Sequence, residues 1–509
     1  MSLYRRLKGH AQFQPEKTAI DFEGRVVSYL QLLQRVDECI AYFDSANIQA
    51  GDRVAFLALN HPDIFAFVFA ASRAGIVLVP LNWRLSVDEL DYVIKDCSPS
   101  LLMHDADFAD TAAKLKANAL TQNGSSFIIQ AIGEPLIESA GVNRDVGKKG
   151  NISVAEEDNE LSRDFLIVYT SGTTGRPKGA VLNQQAILCG AEMSQHMLDL
   201  TSHDRVLNVL PLFHVGGLNI QPLPTLLYGG TLFLHTRFDP AMAARVMEEQ
   251  NITLINSVPT VLQAIVATEE WKKGSYSNLR AVSIGSTDVP VSLINKVRER
   301  DIALIQIYGA TETSPAAIYQ KIEHTDKVGS IGKAGLLCDI RLVDENDQVV
   351  ETGFSGEIQV KGLNILSYYW NNNEATESSI DNGWFKTGDV AHEDNDGFYW
   401  FDDRVKHVII SGGENIYPAE LERVIGELPG IEAVSVVGQA DQRWGEVPVA
   451  VIIGNATEKN IKDACTKVAR FKQPKQLYFV DELPRNALGK IQVQRVKELV
   501  TTLANESKQ

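Results

Sequence analysis

Tyr169-Thr170-Ser171-Gly172-Thr173-Thr174-Gly175-Arg176-Pro177-Lys178-Gly179 puts three glycines, five hydroxyl-bearing side chains, one Arg and one Lys into eleven consecutive residues. The apolar run Phe165-Leu166-Ile167-Val168 leads in, and Ala180-Val181-Leu182 leads out. A strand that stops in Gly, Ser and Thr leaves backbone N–H groups unpaired. Glycine lets them converge on an anion, hydroxyls add donors, and Lys178 adds a compact charge. Such a loop suits a polyphosphate, although a Gly/Ser/Thr stretch can also be a plain flexible linker. It is not G-x-x-x-x-G-K-[ST], because Pro177 precedes Lys178 and Gly179 follows it.

Outward from this loop, a chain of 509 residues predicts more than one domain, and 44% hydrophobic with 22% charged residues is an ordinary globular balance. With 48 Lys and Arg against 65 Asp and Glu the net charge is −17, which argues against a nucleic-acid or anionic-membrane surface. The five cysteines, Cys39, Cys97, Cys189, Cys338 and Cys465, are scattered without a C-x-x-C. That argues against a disulfide framework or zinc site and fits a cytoplasmic protein. The N-terminal segment MSLYRRLKGHAQ lacks an apolar core, so no secretory leader is expected. The apolar stretch from Ile64 to Val79 is broken by Ser72, Arg73 and Gly75. It reads as a buried helix followed by a strand rather than a membrane span.

Strand-like runs (Arg53 to Leu59, Leu101 to His104, Thr231 to His235, Leu304 to Ile307) alternate with helical patterns (Ser28 to Ser45, Val87 to Asp96, Val291 to Arg300) as far as about residue 330. This predicts layered α/β structure with a parallel sheet. From about Gly332 short strands with Gly and Asp turns suggest a small β-rich subdomain. A mixed tail follows, with strands at Val405 to Ser411, Ala433 to Gly438 and Val447 to Ile453 and helices at Ala419 to Glu427 and Ile461 to Ala469. The boundary falls near 402, dividing 1–402 from 403–509. Lys114 to Gly150 is polar and weakly patterned, and reads as a surface region.

Four further motifs carry chemistry. Tyr308-Gly309-Ala310-Thr311-Glu312-Thr313 follows the run Ile305-Gln306-Ile307. Gly after a buried strand admits a ligand to the backbone, Tyr can stack on a base, and Glu can hold magnesium. Thr387-Gly388-Asp389 could simply close a turn. Asp403-Arg404-Val405-Lys406, which could be a solvated turn, precedes Ser411-Gly412-Gly413-Glu414. Pro484-Arg485-Asn486-Ala487-Leu488-Gly489-Lys490 lies near the end of the chain. In this order and spacing the five motifs resemble those of the adenylate-forming superfamily: acyl-CoA synthetases, peptide-synthetase adenylation domains and beetle luciferases. The resemblance covers essentially the whole chain.

The resemblance implies a large N-terminal domain of two layered αβ subdomains plus a small β-barrel-like subdomain. A small α+β C-terminal domain on a hinge is implied to follow it. It implies an ATP-dependent acid–CoA ligase with Mg2+ and CoA as further requirements. Thr170, Ser171, Gly172, Thr173, Thr174, Gly175 and Lys178 would cradle the ATP phosphates, and Glu312 with Thr170 would hold the metal. Gly285, Ser286, Tyr308, Gly309 and Thr311 would line the nucleotide, while Asp389 and Arg404 would hold the ribose. Lys406 would be the hinge, Gly412 and Gly413 would face the pantetheine arm, and Lys490 would be the catalytic cation of adenylation.

Leu212-Phe213-His214-Val215-Gly216-Gly217-Leu218 would flank the reacting carboxylate, with His214 at the thiol tunnel; otherwise His214 is a satisfied core residue. Ser286, Gly309, Ala310 and Ser314 to Ala316 would complete the wall and leave room for a medium-chain fatty or aryl acid. Arg84, Trp444, Phe471 and Lys475 would meet the CoA nucleotide, within a basic cluster (Lys467, Arg470, Lys472, Lys475) that could equally be a solvated face. Two departures stand out: Asn183-Gln184 where many members carry Thr-His, and Gly285-Ser286-Thr287-Asp288-Val289-Pro290 where many carry Gly-Gly-Ala-Pro-Leu-Pro. A carrier-protein-loading ligase, a retired nucleotide-binding homologue and a homodimer stay open.

Overall fold

The apolar run before the glycine-rich loop forms the strand Asp164–Thr170, and the run after it forms Lys178–Asn183, paired antiparallel with Thr170 opposite Lys178. The computed structural model describes residues 1–123, 126–133, 160–170, 177–287, 289–411, 414–441, 443–470, 472–485 and 491–506. Among them, one sheet runs Tyr368–Tyr369, Lys178–Asn183, Asp164–Thr170, Val77–Pro80, Arg53–Leu57, Leu101–His104, Ile128–Ala131. A second runs from Lys333–Ala334 through Ile318–Tyr319, Ala303–Tyr308, Ala281–Gly285, Leu254–Ser257, Arg205–Asn208, Thr231–Leu234 and Thr18–Phe22 to Arg25–Ser28. Its central pairs are parallel, as the strand–helix alternation predicts.

The helix Pro62–Ala74 is buried at every position except Arg73. Its Phe65, Phe67 and Phe69 join a core shared by both sheets, with Phe56 and Leu78 from one and Ile20 and Leu232 from the other. A helix apolar all round must be buried all round, and each Phe contributes about 1.5–3 kcal/mol by leaving water. Ser28 and Ser86 close capping boxes on the helices Tyr29–Ser45 and Val87–Cys97.

The chain divides into two compact units, Met1–Ile340 with Val360–Phe385, and Arg341–Gln359 with Lys386–Gln509. In the second, Gly445–Gly454 pairs with Ile431–Asp441, Ile409–Ser411 and Gln476–Phe479. Ala450 and Ile452 pack on the helices Pro418–Gly426 and Glu458–Ala464, while Val449 and Val451 pack on Val496 and Val500 of Val493–Glu506. Alternate residues therefore serve the two faces of an α+β layer.

Two expectations need correction. Val405 to Ser411 is not one strand: Val408 N–H donates to the Arg404 carbonyl at 3.2 Å, closing the turn Val405–His407 before the strand Ile409–Ser411. The helix expected at Ile461 to Ala469 is Glu458–Ala464, capped by Thr457, and tightens to a 3-10 turn at Cys465–Lys467. Lys114 to Gly150 begins within the helix Ala109–Asn123 and includes the strand Ile128–Ala131; 134–150 lies outside the described residues. All five cysteines are free. No helix among the described residues is long and apolar enough to cross a membrane.

Candidate active site

In the first unit the site is built where two sheets end in loops. Glu312 sits on the single turn Thr311–Thr313 that follows Ala303–Tyr308, and is 9% exposed. Its carbonyl accepts from Leu366 N–H at 2.7 Å. Its carboxylate oxygen Oε1 accepts from the Tyr369 hydroxyl at 2.9 Å and from Thr170 Oγ1 at 3.4 Å. Burial, reinforced by the Glu312 charge, pushes proton loss from Tyr369 far above its ordinary range, so the phenol remains a donor. Lys178 Nζ lies 5.4 Å from the centre of the Tyr369 ring. Tyr369 thus links the cation to the carboxylate, which the Thr170 hydroxyl reaches directly. Sequence reasoning missed that residue. Its one signal is period two on the edge strand Tyr368–Tyr369, where Tyr369 is buried and Tyr368 is half-buried.

Gly285 and Tyr308 stand at the same end of adjacent parallel strands, with Gly285 opposite Ile307. That edge is where α/β sheets bind ligands. A Cβ on Gly285 would lie 2.5 Å from the Ile307 carbonyl oxygen, and one on Gly309 would lie 1.8 Å from that of Pro315. Both glycines are required by close backbone approach. Ser286 at φ +78° and Ser314 at φ +60° are left-handed. Thr313 Oγ1 accepts from Ala310 N–H at 2.9 Å, and Asn364 Nδ2 donates to the Thr313 and Ala316 carbonyls at 3.1 and 3.3 Å. Thr311, Ser314 and Ala316 are buried. Gly309→Ala meets backbone rather than a movable side chain, so a loss of about 1–3 kcal/mol in stability is expected, with a larger fall in ATP-dependent pyrophosphate exchange. Thermal unfolding and exchange rate measure both; wild-type values in each would refute the close-packing argument.

His214 precedes the short helix Val215–Leu218, and its Nδ1 accepts from Gly216 N–H at 3.1 Å. Asn60 holds the approach: Oδ1 accepts from Leu212 N–H at 2.9 Å and Nδ2 donates to the Leu210 carbonyl at 3.0 Å. Phe213 packs edge-on against Trp83. Arg84 lies 4.6 Å from the Trp83 ring and 5.8 Å from the Phe213 ring, and its burial lowers its pKa. Arg84 therefore shares a cluster with the residue next to His214. The Asn183-Gln184 departure has a structural use. Asn183 caps the helix Gln184–Leu198, and buried Gln184 exchanges hydrogen bonds with the Ser72 hydroxyl and carbonyl at 2.7 and 3.1 Å.

In the second unit Asp389 and Arg404 face each other across the antiparallel pair Trp384–Glu393 and Tyr399–Arg404, with Arg404 Nε 3.1 Å from Asp389 Oδ1. Gly388 N–H donates to Glu357 at 2.9 Å. Asp403 accepts from the backbone N–H groups of Arg404 at 2.6 Å and Ala419 at 2.7 Å. Lys406 lies in the following turn, its pKa lowered by burial and then by Arg404. Trp444 is 44% exposed, with Arg443 4.8 Å from its ring centre. Lys475 N–H donates to the Pro448 carbonyl at 2.8 Å. Lys472 pairs with Glu420 at 2.7 Å, so part of the basic cluster is neutralised. Ser171, Gly172, Thr173, Thr174, Gly175, Gly412, Gly413, Phe471 and Lys490 lie outside the described residues; Arg485 and Ile491, flanking the Lys490 segment, bridge antiparallel.

The AMP-binding enzyme family matches residues 7–370, and the AMP-binding enzyme C-terminal domain matches 420–490. The chain belongs to the AMP-binding enzyme family. This AMP-binding enzyme is similar to the indoleacetate–CoA ligase of Aromatoleum aromaticum, with 40% identity over 98% of each chain. A feruloyl-CoA synthase of Amycolatopsis is 38% identical, over 94% of this chain and 95% of that one. The solved o-succinylbenzoate coenzyme A synthetase of Bacillus subtilis, in complex with ATP and magnesium ion, superposes with a TM-score of 0.83 at 30% identity, over 97% of this chain and 99% of that one. The AMP-binding enzyme described here is an AMP-forming acid–thiol ligase of the adenylate-forming superfamily.

Its donor set fits magnesium. Glu312 and Thr170 supply hard oxygens, and magnesium favours one or two carboxylates with substrate phosphates over an all-protein cage. Among the described residues no cluster of three or more His, Cys, Asp or Glu could hold a metal by itself.

Proposed function

We propose that this AMP-binding enzyme activates an aromatic carboxylic acid as its CoA thioester. The observation that carries the reading is Glu312, held between Thr170 and Tyr369 with Lys178 beside them. An anionic metal ligand, buried at 9% exposure, and a cation that follows a glycine-rich stretch suit phosphoryl chemistry. In the first half-reaction a substrate carboxylate oxygen attacks the α-phosphorus of ATP. The new P–O bond forms as the bond to pyrophosphate breaks. In the second, the CoA sulfur attacks the adenylate carbonyl, the C–O bond to AMP breaks, and the thiol proton passes to solvent.

Magnesium, held by Glu312 and Thr170, would neutralise phosphate charge. Thr170 to Lys178 would cradle the β- and γ-phosphates, and Gly285, Ser286, Tyr308, Gly309 and Thr311 would line the nucleotide. Asp389 and Arg404 would hold the ribose, and Lys490 would stand between carboxylate and α-phosphate. Domain 403–509 would turn on Lys406 relative to 1–402, removing Lys490 and bringing Gly412 and Gly413 to the pantetheine arm. Arg84, Trp444, Phe471 and Lys475 would receive the CoA nucleotide, and His214 would stand at the mouth of the thiol tunnel, within the stretch Leu212 to Leu218 beside the reacting carboxylate. The free cysteines suit a cytoplasmic setting.

The aromatic class rests on the indoleacetate and ferulate ligases to which the chain is similar. Incubation with MgATP, CoA and matched panels of arylacetates, cinnamates, benzoates and medium-chain fatty acids tests it. AMP and an aryl-CoA thioester formed together are expected. Thioesters from the fatty acids alone would refute the aromatic assignment. Acyl-adenylate, or ATP–pyrophosphate exchange, without thioester would move the acceptor to a carrier protein.

A further inference from the structure

A buried polar chain runs beneath His214. Gln221 Nε2 donates to Ser283 Oγ at 3.0 Å, Ser283 Oγ to Asn256 Oδ1 at 2.7 Å, and Asn256 Nδ2 to the Gly216 carbonyl at 2.8 Å. Gly216 in turn donates its N–H to His214 Nδ1 at 3.1 Å. Gln221 and Ser283 are 0% exposed and Asn256 is 3% exposed. Asn256 and Ser283 are opposite each other on the parallel strands Leu254–Ser257 and Ala281–Gly285. Their strand neighbours Ile255, Val282 and Ile284 are fully buried apolar residues. Polar groups buried in such surroundings cost stability unless every step is bonded. Each of these three steps is bonded, while the Gln221 Oε1 atom at the far end has no partner among the described residues; with the Gln221 amide nitrogen donating, the chain runs from Gln221 towards Gly216.

The last step determines a tautomer. A backbone N–H can only donate, so the nitrogen it meets must hold a lone pair, and the neutral imidazole then carries its proton on Nε2. The ring also lies directly over Gly216: a Cβ there would sit 3.2 Å from His214 Nδ1 and 3.7 Å from Cε1. Holding Gly216 therefore holds the ring.

We propose that Asn256 is a positioning residue for acid activation, holding Gly216 so that His214 presents an Nε2–H donor, rather than a base, to the acyl carboxylate. The inference rests on the reading of His214 given above. Asn256→Asp keeps the shape and the acceptor for Ser283 but removes the N–H that reaches Gly216. A tenfold to roughly hundredfold fall in kcat for adenylation is expected, the scale seen for groups that orient a ligand from behind, with KM for ATP unchanged. In a His214→Ala background the same substitution should add no more than about twofold, because coupled residues are not additive. Histidine-selective 15N NMR should find the Nε2-protonated form of His214 in the parent enzyme and a mixture of tautomers in the variant. Ser283→Ala, which introduces no buried charge, should show a smaller loss with the same non-additivity should Asn256→Asp fail to fold. Multiplicative losses in the double variants, or an Nδ1-protonated ring in the parent, overturn the proposal. A His214→Ala enzyme as fast as the parent overturns the role of His214 itself, and the inference with it.

Discussion

Lys490→Ala is expected to lose adenylation while keeping thioester formation from preformed acyl-adenylate. In its proposed role Lys490 is a cation between carboxylate and α-phosphate, where charge develops, and removing one such preorganised group costs about 10²–10³ in rate. The second half-reaction needs the thiol to reach the carbonyl, and the proposed hinge takes Lys490 away before that step. The two half-reactions are separable: pyrophosphate exchange reports the first, and acyl-CoA release from synthetic adenylate reports the second. A comparable loss in both would sink the assignment, because a residue needed only for the fold would damage them together.

Glu312→Gln is the second large effect, a fall of about 10²–10³ in kcat/KM for ATP, equivalent to several kcal/mol of lost charge stabilisation. Gln is nearly isosteric and can still accept from Tyr369, so the change isolates the charge. Tyr369→Phe leaves the charge and removes the donor 2.9 Å from Oε1, so a loss of about 10- to 100-fold is expected. Both variants should require more magnesium for half-maximal pyrophosphate exchange. An unchanged magnesium requirement in Glu312→Gln would place the metal elsewhere.

The groups that the structure brings together in each unit, Thr170, Lys178 and Glu312 in the first and Asp389 with Arg404 in the second, are named by the sequence, and the reason is local. The 170–178 stretch, the Tyr308 to Thr313 stretch and the Thr387 to Asp389 and Asp403 to Arg404 stretches each place their polar groups and glycines within a few consecutive residues. Glycine and hydroxyl composition alone marks where backbone must approach a ligand. Tyr369 was not legible. It lies 57 residues from Glu312, and only the pairing of Tyr369 with Ala180 brings its hydroxyl to that carboxylate. Gln221, Ser283 and Asn256 were equally silent: each is a polar residue within or at the end of an apolar run, with no spacing rule linking them.

By itself the sequence determined the α/β alternation, the division into a large α/β part and a smaller α+β part, and the identity of the motif-borne groups. These depend on periodicity, glycine placement and short spacings, which are properties of neighbouring residues. Tertiary structure alone decided which distant side chains complete the groups: Tyr369 on Glu312, Arg84 on Phe213, and Asn256 behind His214. Those partners are chosen by strand order and register, antiparallel for Tyr369 with Ala180 and parallel for Asn256 with Ser283, which arise from burying both sheets against shared helices and leave no local mark in the chain.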